Sequence, residues 1–219
     1  AHKLEEVKAN SIIVPLERLM NSQRLFSIRN FTDALKDDEI RIIAEIKRRS
    51  PSVNDIFINA DPAQVASSYE INGAAAISVL TDQNYFGGHL DFIQHVKDAV
   101  KLPVLRKDFI ISAYQVWESF HAGADAILLI ADAVNYDTMV SLYELSCKLG
   151  MHVLVESHSF DSLESVIKLN PDIVGVNCRN LKTMTTDLNW LKEAYNKLPA
   201  NSIKIAESGI RSSSDVKFV

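Results

Sequence analysis

The chain has 219 residues, 47% of them hydrophobic, enough to bury one sizeable core in a single domain spanning 1–219. A formal net charge of −5, with lysines and arginines scattered rather than clustered, argues against nucleic acid or an acidic membrane surface as a partner. Cys147 and Cys178 have no metal-like or CxxC spacing and no apolar run reaches the ~20 residues of a membrane span, so the expectation is a cytoplasmic protein with reduced thiols.

Residues 1–40 are polar and helix-prone, with Pro15 and Asn30 as punctuation. Leu16, Leu19 and Met20 fall at helical spacing, and Leu35 follows a break at Asn30-Phe31-Thr32-Asp33. Nothing here alternates like a strand, so the segment reads as an N-terminal helical extension packed on a later core.

From residue 41 a cycle begins. Strands are expected at 41–46, 75–80, 103–106, 125–130, 152–156, 172–177 and 202–206, and helices between them at 63–72, 90–99, 113–121, 138–149, 160–169 and 188–197. Asp61-Pro62 and Ser112 are helix starts; Gly73, Gly123 and Gly150 are stops. Alternation of this kind implies right-handed βαβ crossovers and a parallel sheet. No GxGxxG follows the first strand, which disfavours a dinucleotide-binding sheet.

The strands share a grammar: an apolar run, then a polar or charged tip. It appears in IIAEIKRRSPS, VLRKDF, HVLVES, IVGVNCRN and IKIAES. Polar tips on nearly every strand fit a (β/α)8 barrel, whose active site collects at the C-terminal strand ends. Seven strands are countable, so 41–219 reads as barrel units one to seven.

At these residues the chain resembles the indole-3-glycerol-phosphate synthase family of tryptophan biosynthesis. The matching segments are IIAEIKRRSPS (42–52), Asp61-Pro62, YEINGAAAISVLTDQNYFGG (69–88), PVLRKDFI (103–110), GADAILLIA (123–131), GMHVLVESH (150–158), VGVNCRNLKT (174–183) and AESGI (206–210). The resemblance implies a (β/α)8 TIM barrel with an N-terminal helical extension. The implied activity is that of a carboxy-lyase, which closes, decarboxylates and dehydrates 1-(2-carboxyphenylamino)-1-deoxyribulose 5-phosphate to indole-3-glycerol phosphate. No metal and no organic cofactor are expected, because the substrate's aniline ring supplies the electrons. Three departures stand out: Val53-Asn54-Asp55 replaces a Gly-containing loop, Asn177-Cys178-Arg179-Asn180 varies an NNRN-like motif, and the eighth βα unit is expected to be missing from this chain. Open barrel edges would then suit a monomer or a weak homo-oligomer. Two rival readings are a non-catalytic barrel fragment and a Schiff-base aldolase using Lys107.

On the residues alone, Lys107 is a surface lysine beside Asp108 or a general acid at a barrel mouth. Glu156, inward-facing if Leu154 is, is an ion-pair partner or a base whose value burial raises. The resemblance makes Lys107 the acid that polarises the substrate ketone and Glu156 the general base. It makes Lys47 a second site lysine, with Glu45 and Asn177 orienting it and bonding substrate hydroxyls. Ser50 and Arg179 are placed to meet the anthranilate carboxylate. Ser208-Gly209 reads as a plain turn or as a helix-N-terminal phosphate site after the seventh strand. Phe86 and Phe109 are core residues or an apolar wall for the aromatic ring. His152 and His158 have a spacing that suits no standard metal site, and neither is taken as a ligand.

Overall fold

The computed structural model describes residues 2–51, 54–179, 185–210 and 212–218. Part of the first-strand loop, Asn180 and the rest of its motif loop therefore lie outside the described residues.

The extension forms α1 (His2–Ile13), α2 (Leu16–Asn21) and α3 (Phe31–Leu35). What reads as a break at Asn30 is a helix start: its side chain accepts the Asp33 N–H and caps α3. The cycle follows as β1 (Ile43–Ile46), α4 (Pro62–Ile71), β2 (Ala76–Leu80), α5 (Gln83–Phe86), α6 (Asp91–Ala99), β3 (Val104–Lys107), α7 (Ala113–Ala122) and β4 (Ala126–Ile130). After a 3-10 turn over Ala131–Ala133 come α8 (Tyr136–Lys148), β5 (His152–Ser157), α9 (Phe160–Leu169), β6 (Ile173–Asn177), α10 (Asn189–Tyr195), β7 (Ile203–Glu207) and α11 (Ser213–Phe218).

All seven strands pair in parallel in chain order, as one curled sheet with β1 and β7 at its ends. Helix starts follow the expected chemistry: Asp61 accepts the Ala63 N–H with Pro62 in the first turn of α4, and Ser159 and Ser162 form a reciprocal cap on α9.

Alternation along the strands separates two surfaces. Ile77, Val79, Val104, Ile127, Leu129, Val153, Val155, Val174 and Val176 face outward onto the helices. On the inner face, Ala76, Leu105, Ala126, Leu128, Leu154 and Ile173 form an apolar lower layer with Phe31 and Leu35 of α3. Each such large side chain contributes roughly 1.5–3 kcal/mol by leaving water. Helix α3 is thus tied to the sheet's inner layer, and Thr32 Oγ1 lies 2.6 Å from His152 Nδ1 at the start of β5. One step further along each strand, the inner face turns polar.

Candidate active site

The inner-face residues above the apolar layer include Glu45 and Lys47 from β1 and its end, Lys107 of β3, Glu156 of β5, Asn177 of β6 and Glu207 of β7. Lys107 is the hub. Its Nζ lies 2.5 Å from Glu207 Oε2, 3.4 Å from Glu45 Oε2 and 3.9 Å from Glu156 Oε2, so carboxyl groups from three strands converge on one ammonium. Burial alone would lower Lys107, but Glu207, then Glu156 and Glu45, outweigh it and hold the amine firmly protonated. Lys47 pairs with Glu45 at 2.5 Å on the more open side of the mouth. Burial pushes Glu45 up, yet Lys107 and Lys47 together pull it below the ordinary carboxylate value.

Glu156 departs from the raised value expected of a buried carboxylate. Burial does push it up, but His158 and Lys107 outweigh that push and leave Glu156 depressed and ionised. Sequence spacing could not show which charges would stand around it. The raised carboxyl is instead Glu207, where burial and the like charge of Glu156 prevail over Lys107. Two neighbouring buried carboxyls cannot both ionise freely, and Glu207 is the one whose ionisation is disfavoured. Glu207 was legible only as part of AESG, with no sign that its side chain would cross toward Glu156. Gly175 makes that crossing possible: it pairs in register with Glu156, and it bears no side chain where Glu207 leans over β6.

Asn177 uses its side-chain carbonyl locally, accepting the Arg179 N–H at 3.0 Å, and so shapes the turn after β6. Arg179 itself bridges in antiparallel fashion to Thr186. Ser50 is buried just past β1, its N–H donated to the Asn54 carbonyl at 3.1 Å. The half-buried Phe109 packs against the inner apolar cluster. Phe86 ends α5, where its carbonyl accepts the Arg49 N–H at 3.1 Å.

Ser208 and Gly209 correct one expectation. They are not at a helix N-terminus, because α11 begins only at Ser213. Both adopt left-handed backbone, with φ of 67° and 70°, which turns the chain sharply after β7. The Ser208 carbonyl accepts the Cys178 thiol at 3.0 Å, and a Cβ at Gly209 would sit 3.0 Å from the same sulfur. Any anion held here meets turn amides and not a helix dipole.

Behind β3, the extension reaches the same mouth. Lys3 Nζ lies 2.8 Å from both Asp82 Oδ2 and Asp108 Oδ1, and Asp108 also receives Arg106 at 3.1 Å. Asp82 accepts the Tyr85 N–H and so caps α5. Burial pushes Asp108 up, but Arg106 and then Lys3 hold it at about 2. Lys3 therefore clamps the loops after β2 and β3, next door to Lys107. Among the described residues, His2, Glu6 and Asp82 bring ligand atoms within 4.8 Å of one another, a spacing a metal ion could use. The Lys3 ammonium already lies 2.9 Å from Glu6 Oε2 and neutralises both carboxylates, which opposes a second cation there. Among the described residues no helix is long and apolar enough to cross a membrane.

The family model for indole-3-glycerol phosphate synthase matches residues 1–219. The chain is 42% identical over 212 residues to the indole-3-glycerol phosphate synthase of Mycolicibacterium gilvum, covering 96% of this chain and 78% of that one. It is 42% identical over 222 residues to that of Chlorobium chlorochromatii, covering 100% and 86%. Among solved structures, the N-acetylmannosamine-6-phosphate 2-epimerase of Clostridium perfringens superposes with a TM-score of 0.64 at 15% identity, over 90% of this chain and 87% of that one, a likeness of fold.

Proposed function

Because this chain belongs to the indole-3-glycerol phosphate synthase family, we propose that its strand-end charges carry out that family's reaction in named roles. The reaction converts 1-(2-carboxyphenylamino)-1-deoxyribulose 5-phosphate to indole-3-glycerol phosphate, carbon dioxide and water, in tryptophan biosynthesis. The observation that carries the assignment of roles is the convergence of Glu45, Glu156 and Glu207 on Lys107.

In ring closure the electron-rich aniline ring attacks the ketone carbon, and charge builds on the ketone oxygen. Lys107, kept as an ammonium, stabilises that oxygen and delivers a proton to it. Glu207, the carboxyl that holds a proton and touches Lys107, is placed to reprotonate it. Loss of carbon dioxide restores the aromatic ring. As the hydroxyl then leaves as water, Glu156 takes the proton released from the neighbouring carbon. Lys47 and Glu45 bind and orient at the more open side of the mouth, while Ser50 and Arg179 meet the anthranilate carboxylate. Asn177 bonds a substrate hydroxyl, Phe109 and Phe86 flank the aromatic ring, and the Ser208-Gly209 turn offers amides to the phosphate. No metal or organic cofactor has a role in these steps.

The same reading takes the chain as one domain, since α3 shares the inner core of the sheet. An eighth βα unit pairing with both β1 and β7 would close the barrel and set further phosphate donors beside Ser208. A Schiff base at Lys107 is disfavoured, because a nucleophilic amine must lose the proton that the surrounding acidic groups retain. Incubation with substrate and borohydride tests this: indole-3-glycerol phosphate and carbon dioxide should form with no reduced covalent adduct. An adduct on Lys107 would replace the general-acid role with an aldolase-like one.

A further inference from the structure

His158 lies in the bend just past β5, two residues beyond Glu156, and its ring reaches back to the Glu156 carboxylate on the inner face. Its Nε2 is 3.0 Å from Glu156 Oε1 and its Nδ1 is 3.5 Å from Asp132 Oδ2. The two partners of the ion pair, His158 and Glu156, are 6% and 2% exposed, so water does little to screen it. Asp132, in the 3-10 turn after β4, is itself fixed: it accepts the His158 backbone N–H at 3.0 Å and the Ser159 hydroxyl at 2.9 Å. A neutral imidazole in this position would aim one bare ring nitrogen at a carboxylate. At these ion-pair distances only the imidazolium places a positive charge between the two carboxylates.

The geometry points to His158 as a positioning residue for the reaction proposed above: pinned by Asp132, its imidazolium fixes Glu156 as the ionised member of the Glu156–Glu207 pair and leaves the shared proton on Glu207, beside Lys107. The charged groups facing it are Glu156 from β5 and Asp132 from the turn after β4, with Lys107 of β3 and Glu207 of β7 beyond Glu156. Asp132 and Glu156 overcome the effect of burial and keep the ring protonated up to about pH 9, in agreement with this arrangement. Without the imidazolium, nothing on that side distinguishes Glu156 from Glu207. The proton would then spread over both, and the base would be blocked at low pH.

The inference rests on Glu156 being the base. The test compares kcat and KM from pH 5.5 to 9 for the unaltered enzyme and its His158→Gln, Asp132→Asn and Glu156→Gln variants. Glutamine keeps a donor but no charge, so the acid limb of kcat, held below the measured range in the unaltered enzyme, should rise into it: a loss of at least about threefold at pH 5.5 that is recovered by pH 8.5. KM should change by less than about threefold, and Asp132→Asn should shift the limb the same way by less. A limb that does not move, or an equal loss at every pH, would overturn the role of His158. Undiminished kcat in Glu156→Gln would instead overturn the base assignment, which separates the two failures. If His158→Gln does not fold, the ring-nitrogen shifts of His158 in the unaltered enzyme at pH 7.5 decide: imidazolium shifts support the role, and neutral-ring shifts contradict it.

Discussion

A methyl group built on the α-carbon of Gly175 would sit 2.5 Å from Oε1 of Glu207, closer than any real contact allows. The atom it would strike is the far end of a flexible side chain, so the fold can yield and the carboxyl cannot stay. In an ordinary strand, Gly→Ala would stabilise by roughly 0.5–1 kcal/mol. Here Gly175→Ala should leave the melting temperature nearly unchanged and lower kcat by about 10–10²-fold, the scale of a 1 Å misplacement in an active site. Unaltered kcat in that variant would mean that the position of Glu207 does not matter to the chemistry.

Much of the scaffold was legible because strand period and helix caps are local properties. The seven strands among the described residues fall at the expected apolar runs, most of which end in polar or charged tips, and Asp61-Pro62 starts α4 as its chemistry requires. Short elements escaped: α5 is held by the Asp82 cap and by Lys3, a residue 79 positions away in the chain, and no periodicity announces it. Lys107 and Glu156 were legible as strand tips. Their protonation was not, because it depends on which other tips arrive beside them. Glu207 and His158 carry no local signal for that reason, and Gly175 reads as a weak strand residue until its neighbour across the sheet is known.

The clamp made by Lys3 predicts a stability effect with a functional echo. Lys3→Met removes the cation from two buried carboxylates, Asp82 and Asp108. Stranding one partner of a buried pair typically costs about 3–5 kcal/mol, and the lower end applies here because Arg106 still neutralises Asp108. Urea unfolding should show that loss, and KM should rise as the loops after β2 and β3 loosen. Unchanged stability would mean that α1 does not hold the mouth.

Stability should also depend on pH in a two-sided way. Asp108 and Asp132 are each held at about 2 in the folded chain against an ordinary 3.8. Their contribution is present above about pH 4 and is lost as pH falls toward 2. His158 and Glu207 act in the opposite sense. The folded state keeps His158 protonated to about 9 against an ordinary 6.5, and it raises Glu207 above its ordinary 4.5. The His158 contribution is full below pH 6.5 and is lost as pH rises through about 9; that of Glu207 declines as pH rises above 4.5. Unfolding free energy should therefore fall between pH 5 and pH 9, and Glu207→Gln should flatten that fall. An equally steep fall in the variant would contradict the raised carboxyl.

We propose that Lys107, held charged by the acidic groups of three strands, is the general acid of ring closure. The most direct test of this role is the turnover of the Lys107→Met enzyme, read as indole-3-glycerol phosphate formed at saturating substrate. A positioned acid contributes about 10²–10⁴-fold, so kcat should fall by that order while the protein stays folded and still binds substrate. A variant that keeps more than about half of the unaltered turnover would contradict the account, because the ammonium at the hub of the site would then have no part in the reaction.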